Sequence, residues 1–488
     1  MKTFKKITPE RAGLPSRNMM GFLRELDSAE LAMHSVILMR GDRVFGEYYA
    51  APFKAEDKHR MYSVSKTFVS MAIGALIGEG KLSLDDKIIS FFSDKLPGQV
   101  HPHIVDATVR DLLRMATPFD DVTYYLGAKD WAATFFNTPT SHPAGTLFKY
   151  DSSASYILDV IVERLTGMTF LEYLKKKALS RIGFSEDTFC IKAPEGYSWG
   201  ASGVICTPMD LARFARLVMK GGLWEGEQLL PADYIRAATS KQIDNRTDGH
   251  NRPDQSQGYG YQVWMTREGS YSFIGMGSQL AVSIPQKDLL FVCTGDTQGN
   301  ELGYLTIYNA LWKHIVNPAG AALAENPAEH AELEKYASNR SIPVVPGDKT
   351  SLLSGQIGSV EYIMEKNPMG IKRLKIELSD DEGVFCYTNE RGNKQLRFGL
   401  GHFVLGGFPE THYFGETIGK PVGRPYRCAA SGAWVSPDTL RIKVDIIDDY
   451  LGNVCINLCF KGNELVLRME KTAEWFLDEY VGFASGRR

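Results

Sequence analysis

The residue types best suited to chemistry form the pattern Ser-x-x-Lys at Ser63 and Lys66, directly ahead of the apolar stretch 69–77. Apolar residues recur at helical spacing through this region, which predicts a buried helix that starts at the pattern. Residues three apart on a helix share one face, so Lys66 can reach the Ser63 hydroxyl. A lysine desolvated in a core can have a lowered pKa and can help to remove the serine proton. The pattern favours a serine nucleophile; the alternative is a helix-capping serine beside a surface lysine.

A second group of candidates, Tyr150 and Ser152, precedes a helix predicted over 154–165. A tyrosine held near an ammonium group can ionise in part, and the phenolate can then act as a general base toward serine. In an extended segment, Ser152 would point in the same direction and could bind the lysine or the substrate. A helix-capping role is the alternative for Ser152.

A third group lies in the Gly-rich stretch 275–279, which is predicted to be a tight turn or bulge between two strands. An oxyanion hole needs two converging N–H donors, and glycine lets a substrate carbonyl approach the backbone closely. Gly275 and Met276 are therefore candidate oxyanion-binding or substrate-binding residues. A strand bulge explains the glycines equally well.

The histidines and cysteines form no metal-binding pattern. His101 and His103 flank a proline with no carboxylate or cysteine pattern nearby, which favours surface histidines. No spacing argument ties His142 or His250 to the other candidates. The seven cysteines are scattered, odd in number and without Cys-x-x-Cys, as expected for reduced thiols in a cytoplasmic protein. The sequence therefore predicts neither a metal nor a cofactor.

The overall composition is that of a soluble globular protein, with 44% hydrophobic and 23% charged residues. A net charge of −3 without blocks of like charge argues against binding of nucleic acid or of charged membrane surfaces. The basic N-terminus lacks the apolar region of a signal peptide, and no apolar run is long enough to span a bilayer. At 488 residues, two domains are expected.

Periodicity and turn residues predict the elements that must position these candidates. A hairpin is predicted over 35–49, with helices over 9–30, 208–219 and 304–315 and strands over 259–265, 271–274, 280–284 and 289–294. The polar stretch 240–257 has the length of a lid or binding loop. The predicted domains are a first domain over 1–317, a linker over 318–347 and a second domain over 348–488. Short strands between turns predict an antiparallel barrel or sandwich for the second domain.

The candidates occur in an order that resembles a known family. Ser63-x-x-Lys66, and Tyr150-x-Ser152 behind Pro143-Ala-Gly-Thr-x-Phe148, resemble the first two motifs of the serine β-lactamase and penicillin-recognising enzyme superfamily. The most similar branch contains class C-like esterases, D-aminopeptidases and 6-aminohexanoate-dimer hydrolases. Further segments resemble the family in the same order, so the resemblance covers 9–317; they are Thr108–Leu113, Gly200–Gly203, Thr207–Asp210 and Tyr259–Trp264.

The resemblance implies an α+β fold, in which helices flank an antiparallel sheet and a helical lobe adjoins it, with the site between them. It implies that Ser63 is acylated, that Lys66 and Tyr150 share the proton transfers, and that the N–H groups of Ser63 and Met276 bind the oxyanion. The expected substrate is an ester or amide of a small molecule or short peptide. A homo-oligomer is a further possibility.

The chain departs from the family pattern at the third motif. Lys-Thr-Gly or His-x-Gly of the family aligns with Phe273-Ile274-Gly275, and Lys-Thr-Gly occurs nowhere in the chain. Without a cation at position 273, the usual partner of a β-lactam or peptide carboxylate is missing, which favours an esterase or amidase. A β-lactamase or D-amino-acid peptidase is the alternative, and a catalytically silent binding or scaffold protein is a third. Serine at 152, where β-lactamases of this class have asparagine, is a mild change.

Overall fold

The computed structural model describes residues 4–125, 127–246, 252–358, 360–409, 425–448, 451–472 and 480–488. They form two compact units, Met1–Arg340 and Ser341–Arg488. The helices are α1 Ser16–Ser28, α2 Ser65–Gly78, α3 Pro102–Val105, α4 Val109–Leu113, α5 Trp131–Asn137, α6 Ser152–Thr166, α7 Phe170–Lys177, α8 Pro208–Met219, α9 Ala232–Ala238, α10 Gly303–Leu311, α11 Pro327–Ser338 and α12 Ser354–Ile357.

The strands of the first unit are β1 Lys5–Lys6, β2 Met33–Arg40, β3 Arg43–Tyr49, β4 His59–Arg60, β5 Phe189–Cys190, β6 Val204–Cys206, β7 Leu223–Trp224, β8 Glu227–Gln228, β9 Trp264–Met265, β10 Tyr271–Gly275, β11 Gln279–Ile284 and β12 Leu289–Gly295. Those of the second unit are β13 Glu361–Met364, β14 Arg373–Leu378, β15 Glu382–Asn389, β16 Gly392–Leu400, β17 Val404–Gly407, β18 Arg427–Ser436, β19 Thr439–Ile446, β20 Asn453–Lys461, β21 Glu464–Thr472 and β22 Gly482–Arg487.

The first unit is built on a seven-stranded sheet in the order β1-β3-β2-β12-β11-β10-β9. All neighbouring pairs are antiparallel except β1–β3. Helix α1 packs on one face, where Phe22 meets Phe291 of β12 edge to face. Helix α8 packs on the other face, where Phe214 lies against Phe273 of β10. Helices on both faces of the antiparallel sheet confirm the predicted α+β class.

Helix α2 is the centre of the helical lobe. Its residues from Ser65 to Leu76 are all buried, because α6, α7 and α9 pack around it. Helices α4 and α5 pack in turn on α6, so the stretch 119–140 contributes to this lobe through α5. The buried helix predicted after Ser63 is therefore present; Ser63 itself lies in the 3-10 turn Tyr62–Val64 that leads into it.

Several predicted boundaries agree closely with the structure. Helix α8 spans the predicted residues 208–219, and Thr207 and Asp210 form its capping box. The predicted hairpin is β2–β3, and the predicted strands after residue 270 are β10, β11 and β12. Helix α10 continues as the π-helical turn Trp312–Val316. Helix α11, within the stretch predicted as a linker, packs on α1 and β3.

The strand predicted over 259–265 is wrong for its first five residues. Only Trp264 and Met265 form a strand, and Gln262 has a positive φ of 60° that turns the chain. The Gln262 side chain donates to the carbonyls of Leu112 and Leu113, each at 2.9 Å. A tertiary contact therefore overrides the local preference for strand. In the predicted loop 240–257, residues 247–251, including His250, lie outside the described residues.

The second unit is a closed β-barrel. Nine strands, β13 to β16 and β18 to β22, follow one another around it, and pairing of β16 with β18 closes the ring. Buried and more exposed residues alternate along β15 and along most of β20, as expected for strands with one face inside a barrel. Of the two architectures predicted for this unit, the barrel is confirmed.

The helices of the described residues include no candidate for a membrane-spanning segment. None of them combines sufficient length with a sufficiently apolar sequence.

Candidate active site

The proposed nucleophile lies in a tightly held turn between β4 and α2. Tyr62, directly before Ser63, has a positive φ of 46°, a conformation that persists only where the surroundings impose it. The buried Arg60 guanidinium supplies such surroundings, because it lies 4.4 Å from the centres of both the Tyr62 and Trp199 rings. Arg60 also donates to the carbonyl and hydroxyl oxygens of Ser202, at 3.0 and 2.8 Å. The position of Ser63 is therefore set by contacts distant in sequence.

The Lys66 ammonium group is buried directly beside the serine. Its side chain extends from the first turn of α2, and the residue is only 1% exposed. Nζ donates to Ser63 Oγ at 3.1 Å and to the carbonyl oxygen of Ala201 at 2.6 Å. These contacts exclude the surface-lysine alternative and place a nitrogen within proton-transfer distance of the nucleophile.

Tyr150, which lies two residues before α6, is the third residue of the group. Its hydroxyl and that of Ser63 are hydrogen-bonded. The Lys66 Nζ lies 5.2 Å from the centre of the Tyr150 ring. Trp264 stacks on that ring with centres 5.2 Å apart, and Tyr259 meets it edge on. The structure thus brings together the three residues predicted to be catalytic.

The protonation state of Tyr150 differs from the sequence-based expectation of partial ionisation. Burial raises the pKa of Tyr150 above its ordinary value, and the hydrogen bond with Ser63 opposes this shift without cancelling it. Burial disfavours the charged phenolate, because the phenolate loses hydration. The resting group at neutral pH is the neutral phenol.

Ser152 lies in a helix, not in the extended segment that the sequence predicts. It is the first residue of α6, and its side chain is half-buried. The helix cap is Asp151, whose carboxylate accepts from the Ser153 N–H at 2.7 Å. The helix begins two residues earlier than the periodicity indicates because this cap satisfies its free N–H groups.

Asp151 is a site residue that the sequence reasoning missed. It is fully buried, accepts a hydrogen bond from Thr117 at 2.8 Å and interacts electrostatically with Lys66. Burial raises the pKa of Asp151 to about 6, while the Thr117 and Ser153 hydrogen bonds and the Lys66 charge lower it. The signal in the sequence was an aspartate at a helix start, directly after a candidate tyrosine.

The Gly-rich turn meets the nucleophile segment through Gly275. A Cβ atom on Gly275 would lie 2.2 Å from the Met61 carbonyl oxygen, two residues before Ser63. The β10–β11 pairing runs in continuous register to Gly275 and Gln279, so close approach of two backbones, not a bulge, explains this glycine. The Met276 carbonyl accepts from the Gln279 side chain at 3.1 Å. The turn that carries Met276 therefore begins where β10 touches the Ser63 segment.

An aromatic cluster occupies the position of the family's third-motif cation. Phe273 is 1% exposed and lies 5.7 Å from Phe214, measured between ring centres. Phe214 in turn stacks on Phe68 of α2 at 3.8 Å. The side chain at 273 is thus part of the apolar core behind the nucleophile helix.

His101, His103 and His142 are each hydrogen-bonded to a neighbouring residue. The ring of His101 caps α3 by accepting from the His103 N–H, and the two rings lie edge to face. The His142 ring is hydrogen-bonded to Ser141. Within the described residues, no group of three or more histidine, cysteine or acidic side chains has an arrangement that could hold a metal ion.

A family model and a related hydrolase both match the part of the chain that holds this site. The family model described as Beta-lactamase matches residues 29–304, a range that contains Ser63, Lys66, Tyr150 and Met276. The chain is 26% identical over 287 residues to the 6-aminohexanoate-dimer hydrolase of Paenarthrobacter ureafaciens, which is 54% of this chain and 72% of that protein.

Two solved structures resemble the fold. One, from Bacillus anthracis and assigned provisionally as a 6-aminohexanoate-dimer hydrolase, has 19% identity and a TM-score of 0.53, with 65% of this chain and 89% of that chain covered. The other, the octameric penicillin-binding protein homologue from Pyrococcus abyssi, has 14% identity and a TM-score of 0.50, with 97% and 99% covered. At these identities the likeness concerns the fold.

Proposed function

The chain belongs to the beta-lactamase family, and on that premise we propose that it is a serine hydrolase. It cleaves esters or amides of small molecules or short peptides through an acyl-enzyme. The observation that carries the proposal is the buried Lys66 ammonium nitrogen 3.1 Å from Ser63 Oγ, with the Tyr150 hydroxyl bonded to the same serine. A hydroxyl flanked by two groups that can exchange protons with it is the arrangement that nucleophilic catalysis needs.

In the acylation step, Ser63 Oγ attacks the substrate carbonyl carbon while its proton passes to the Lys66–Tyr150 pair. The N–H groups of Ser63 and Met276 bind the oxygen that becomes negative in the tetrahedral intermediate. When the intermediate collapses, the bond to the leaving oxygen or nitrogen breaks, and the pair returns the proton to the leaving group. The product is the Ser63 ester of the acyl group.

In the deacylation step, water adds to the acyl carbon and gives a proton to the same pair. The second tetrahedral intermediate collapses to release the carboxylic acid, and Ser63 regains its proton. The same two residues thus serve first as base and then as acid in each half of the cycle, as microscopic reversibility requires.

The raised pKa of Tyr150 bears on which residue of the pair accepts the proton and which one donates it. A neutral phenol still holds its own proton, so we propose the amine form of Lys66 as the acceptor of the serine proton. Tyr150 then supplies its phenolic proton to the leaving group.

The alternatives within the family are a β-lactamase and a D-amino-acid peptidase. Both act on substrates whose carboxylate has a fixed place relative to the scissile amide, where the third-motif cation would bind it, and Phe273 fills that particular position with an apolar ring. A catalytically silent scaffold is the alternative from another class. The hydrogen bonds of both Lys66 and Tyr150 to Ser63 support the enzyme over the scaffold, because nucleophilic catalysis needs a serine flanked by proton-exchanging groups and binding alone does not.

Covalent labelling with a fluorophosphonate probe, read by mass spectrometry, tests the proposal directly. The probe should modify Ser63, and Ser63→Ala should abolish both labelling and turnover of a neutral aryl ester, a loss of about 10³-fold or more. Ser338→Ala, at an exposed serine at the end of α11, serves as the matched control and should behave as the wild type. Nitrocefin and a D-alanyl anilide, assayed side by side, separate the alternatives. A protein that neither labels nor turns over any of these substrates would overturn the proposal.

Two further parts of the proposal concern the state of the protein. The cytoplasmic location predicted from the cysteines stays a prediction.

The Pyrococcus abyssi homologue is octameric, and we extend self-association to this chain as a proposal. Light scattering coupled to size-exclusion chromatography would test it, and a monomer at all concentrations would contradict it.

A further inference from the structure

An arginine lies beside the β10–β11 turn, outside the residues assigned to catalysis. Arg252 is exposed, and its guanidinium carbon lies 5.3 Å from the centre of the Tyr304 ring. No ion pair between described residues includes Arg252, whereas Arg246, on the same stretch of chain, is bound to Asp244. Arg252 therefore presents a positive charge on an aromatic surface, within reach of solvent.

The backbone next to Arg252 is firmly anchored. Two residues on, the carboxylate of the buried Asp254 accepts two hydrogen bonds from Arg267, each of 2.5 Å, and a third from Thr266. A bidentate arginine–carboxylate pair of this kind fixes geometry as well as adding stability. The turn Pro253–Gln255 that follows Arg252 is thus held in place, and it positions the base of the arginine side chain.

Tyr304 connects this charge to the reacting groups. Its hydroxyl donates to the Gly275 carbonyl oxygen at 2.7 Å, at the point where β10 contacts the nucleophile segment. Tyr304 also interacts electrostatically with Tyr150. Tyr304 therefore contacts Arg252 through its ring and the end of β10, beside the Ser63 segment, through its hydroxyl.

The chemistry of the guanidinium suits one class of ligand. A guanidinium over an aromatic face is oriented by the ring and keeps its N–H donors for a partner in its own plane. A carboxylate is the partner that matches this planar fork with two parallel hydrogen bonds. Among the catalytic residues, Lys66 cannot take this role, because it is buried and already bound to Ser63 and Ala201.

We infer that Arg252 and Tyr304 form a carboxylate-binding subsite beside Ser63, so that preferred substrates are esters or amides with a second, anionic carboxylate group. The inference rests on the proposed function and narrows its substrate class. The anionic group is bound from the loop that precedes β9, and not from position 273 on β10, where a buried phenylalanine ring stands in place of the family cation.

A matched pair of substrates tests the subsite. Phenyl hydrogen glutarate carries a free carboxylate, and methyl phenyl glutarate presents the same scissile ester with that carboxylate masked. The wild type should have a kcat/KM at least about tenfold higher for the acid than for the methyl ester, mainly through a lower KM. The preference should weaken with added salt, because the guanidinium is exposed and therefore screened.

The variants Arg252→Gln and Arg252→Lys separate charge from geometry. Arg252→Gln should lower the ratio of the two kcat/KM values about tenfold or more, while Arg252→Lys should retain part of the preference, since it keeps the charge without the planar fork. Arg246→Gln, at an exposed arginine of the same loop, is the control and should leave the ratio as in the wild type. A wild type without preference, or an Arg252→Gln variant with an unchanged ratio, would overturn the inference.

A binding measurement keeps the subsite distinct from catalysis. Isothermal titration of phenyl hydrogen glutarate into Ser63→Ala protein needs no turnover, and adding Arg252→Gln should raise the Kd about tenfold. If methyl phenyl glutarate is hydrolysed but this Kd does not change, the subsite fails and the hydrolase stands. If the Kd rises as expected but no ester is hydrolysed and no probe labels Ser63, the subsite stands and the proposed function fails.

Discussion

The two segments that touch at Met61 and Gly275 differ in what they bury. The segment that leads into α2 buries two cations, Arg60 and Lys66, and gives each of them hydrogen-bond acceptors or aromatic faces. Strand β10 buries an aromatic side chain, Phe273, in an apolar cluster. The segment of the proposed nucleophile is thus polar and provides partners for its buried cations, while the adjoining strand buries an apolar ring at position 273.

The difference follows from the cost of burying charge. A buried ammonium group is tolerated where carbonyl or hydroxyl groups replace its hydration, as Ala201 and Ser63 do for Lys66, which also interacts electrostatically with Asp151. Near position 273 the rings of Phe214 and Phe68 carry no carbonyl, hydroxyl or carboxylate group. A substrate anion must therefore find its cation elsewhere on the rim of the site.

The largest effect is expected when Phe273 of β10 is replaced by lysine, the cation of the family's third motif. We expect Phe273→Lys to lower the free energy of unfolding by at least about 3 kcal/mol, because it removes a buried ring and buries an unpaired charge. Urea denaturation followed by circular dichroism measures the change. Phe273→Leu, which keeps the position apolar, is the control and should cost less. A stable Phe273→Lys protein that gains nitrocefin hydrolysis would show that the two segments are interchangeable, contrary to this interpretation.

Disturbing the contact between the two segments should have the next largest effect. A methyl group on Gly275 would meet the Met61 carbonyl at 2.2 Å, so the Gly275→Ala variant must separate the Met276 N–H from the serine segment. We expect a loss of about 10²- to 10³-fold in kcat, the usual result of losing one oxyanion donor. Gly98→Ala, where an added Cβ meets open space, is the control in a steady-state ester assay. Wild-type activity in Gly275→Ala would remove Met276 from the oxyanion hole.

The smallest effect is expected for Asp151, whose buried carboxylate should make the stability of the protein depend on pH. The folded pKa of Asp151 is raised from 3.8 to about 6, so its protonated form is favoured in the fold. Its contribution to stability is full below pH 4 and is lost as the pH rises through about 6. Relative to wild type, Asp151→Asn should therefore become more stable by up to about 3 kcal/mol between pH 4 and pH 7.

Urea unfolding at several pH values tests this expectation for Asp151. The exposed Asp121→Asn is the matched control, and its stability should run parallel to wild type across the same range. Parallel curves for Asp151→Asn as well would mean that the carboxylate is ionised at the same pH in the folded and unfolded chains.

Much of the local structure was predictable because its causes are local. Helix α8 starts at the capping box of Thr207 and Asp210 and ends after its last periodic residue, so its bounds agree with the prediction. The β10–β11 turn follows from its glycines in the same way, since Gly277 has a positive φ of 75°. Where a distant partner decided the conformation, as for Gln262 with Leu112, the prediction was wrong.

The sequence by itself determined the pairing of Ser63 with Lys66 and the position of Tyr150 ahead of a helix, because spacing of three along one helical turn brings side chains together whatever surrounds them. Only the tertiary structure decided that Tyr150 is a neutral phenol, that Phe273 belongs to the core and that Arg252 lies over Tyr304. Each of these depends on solvent exclusion or on contacts between residues far apart in the chain, and neither is encoded in local spacing.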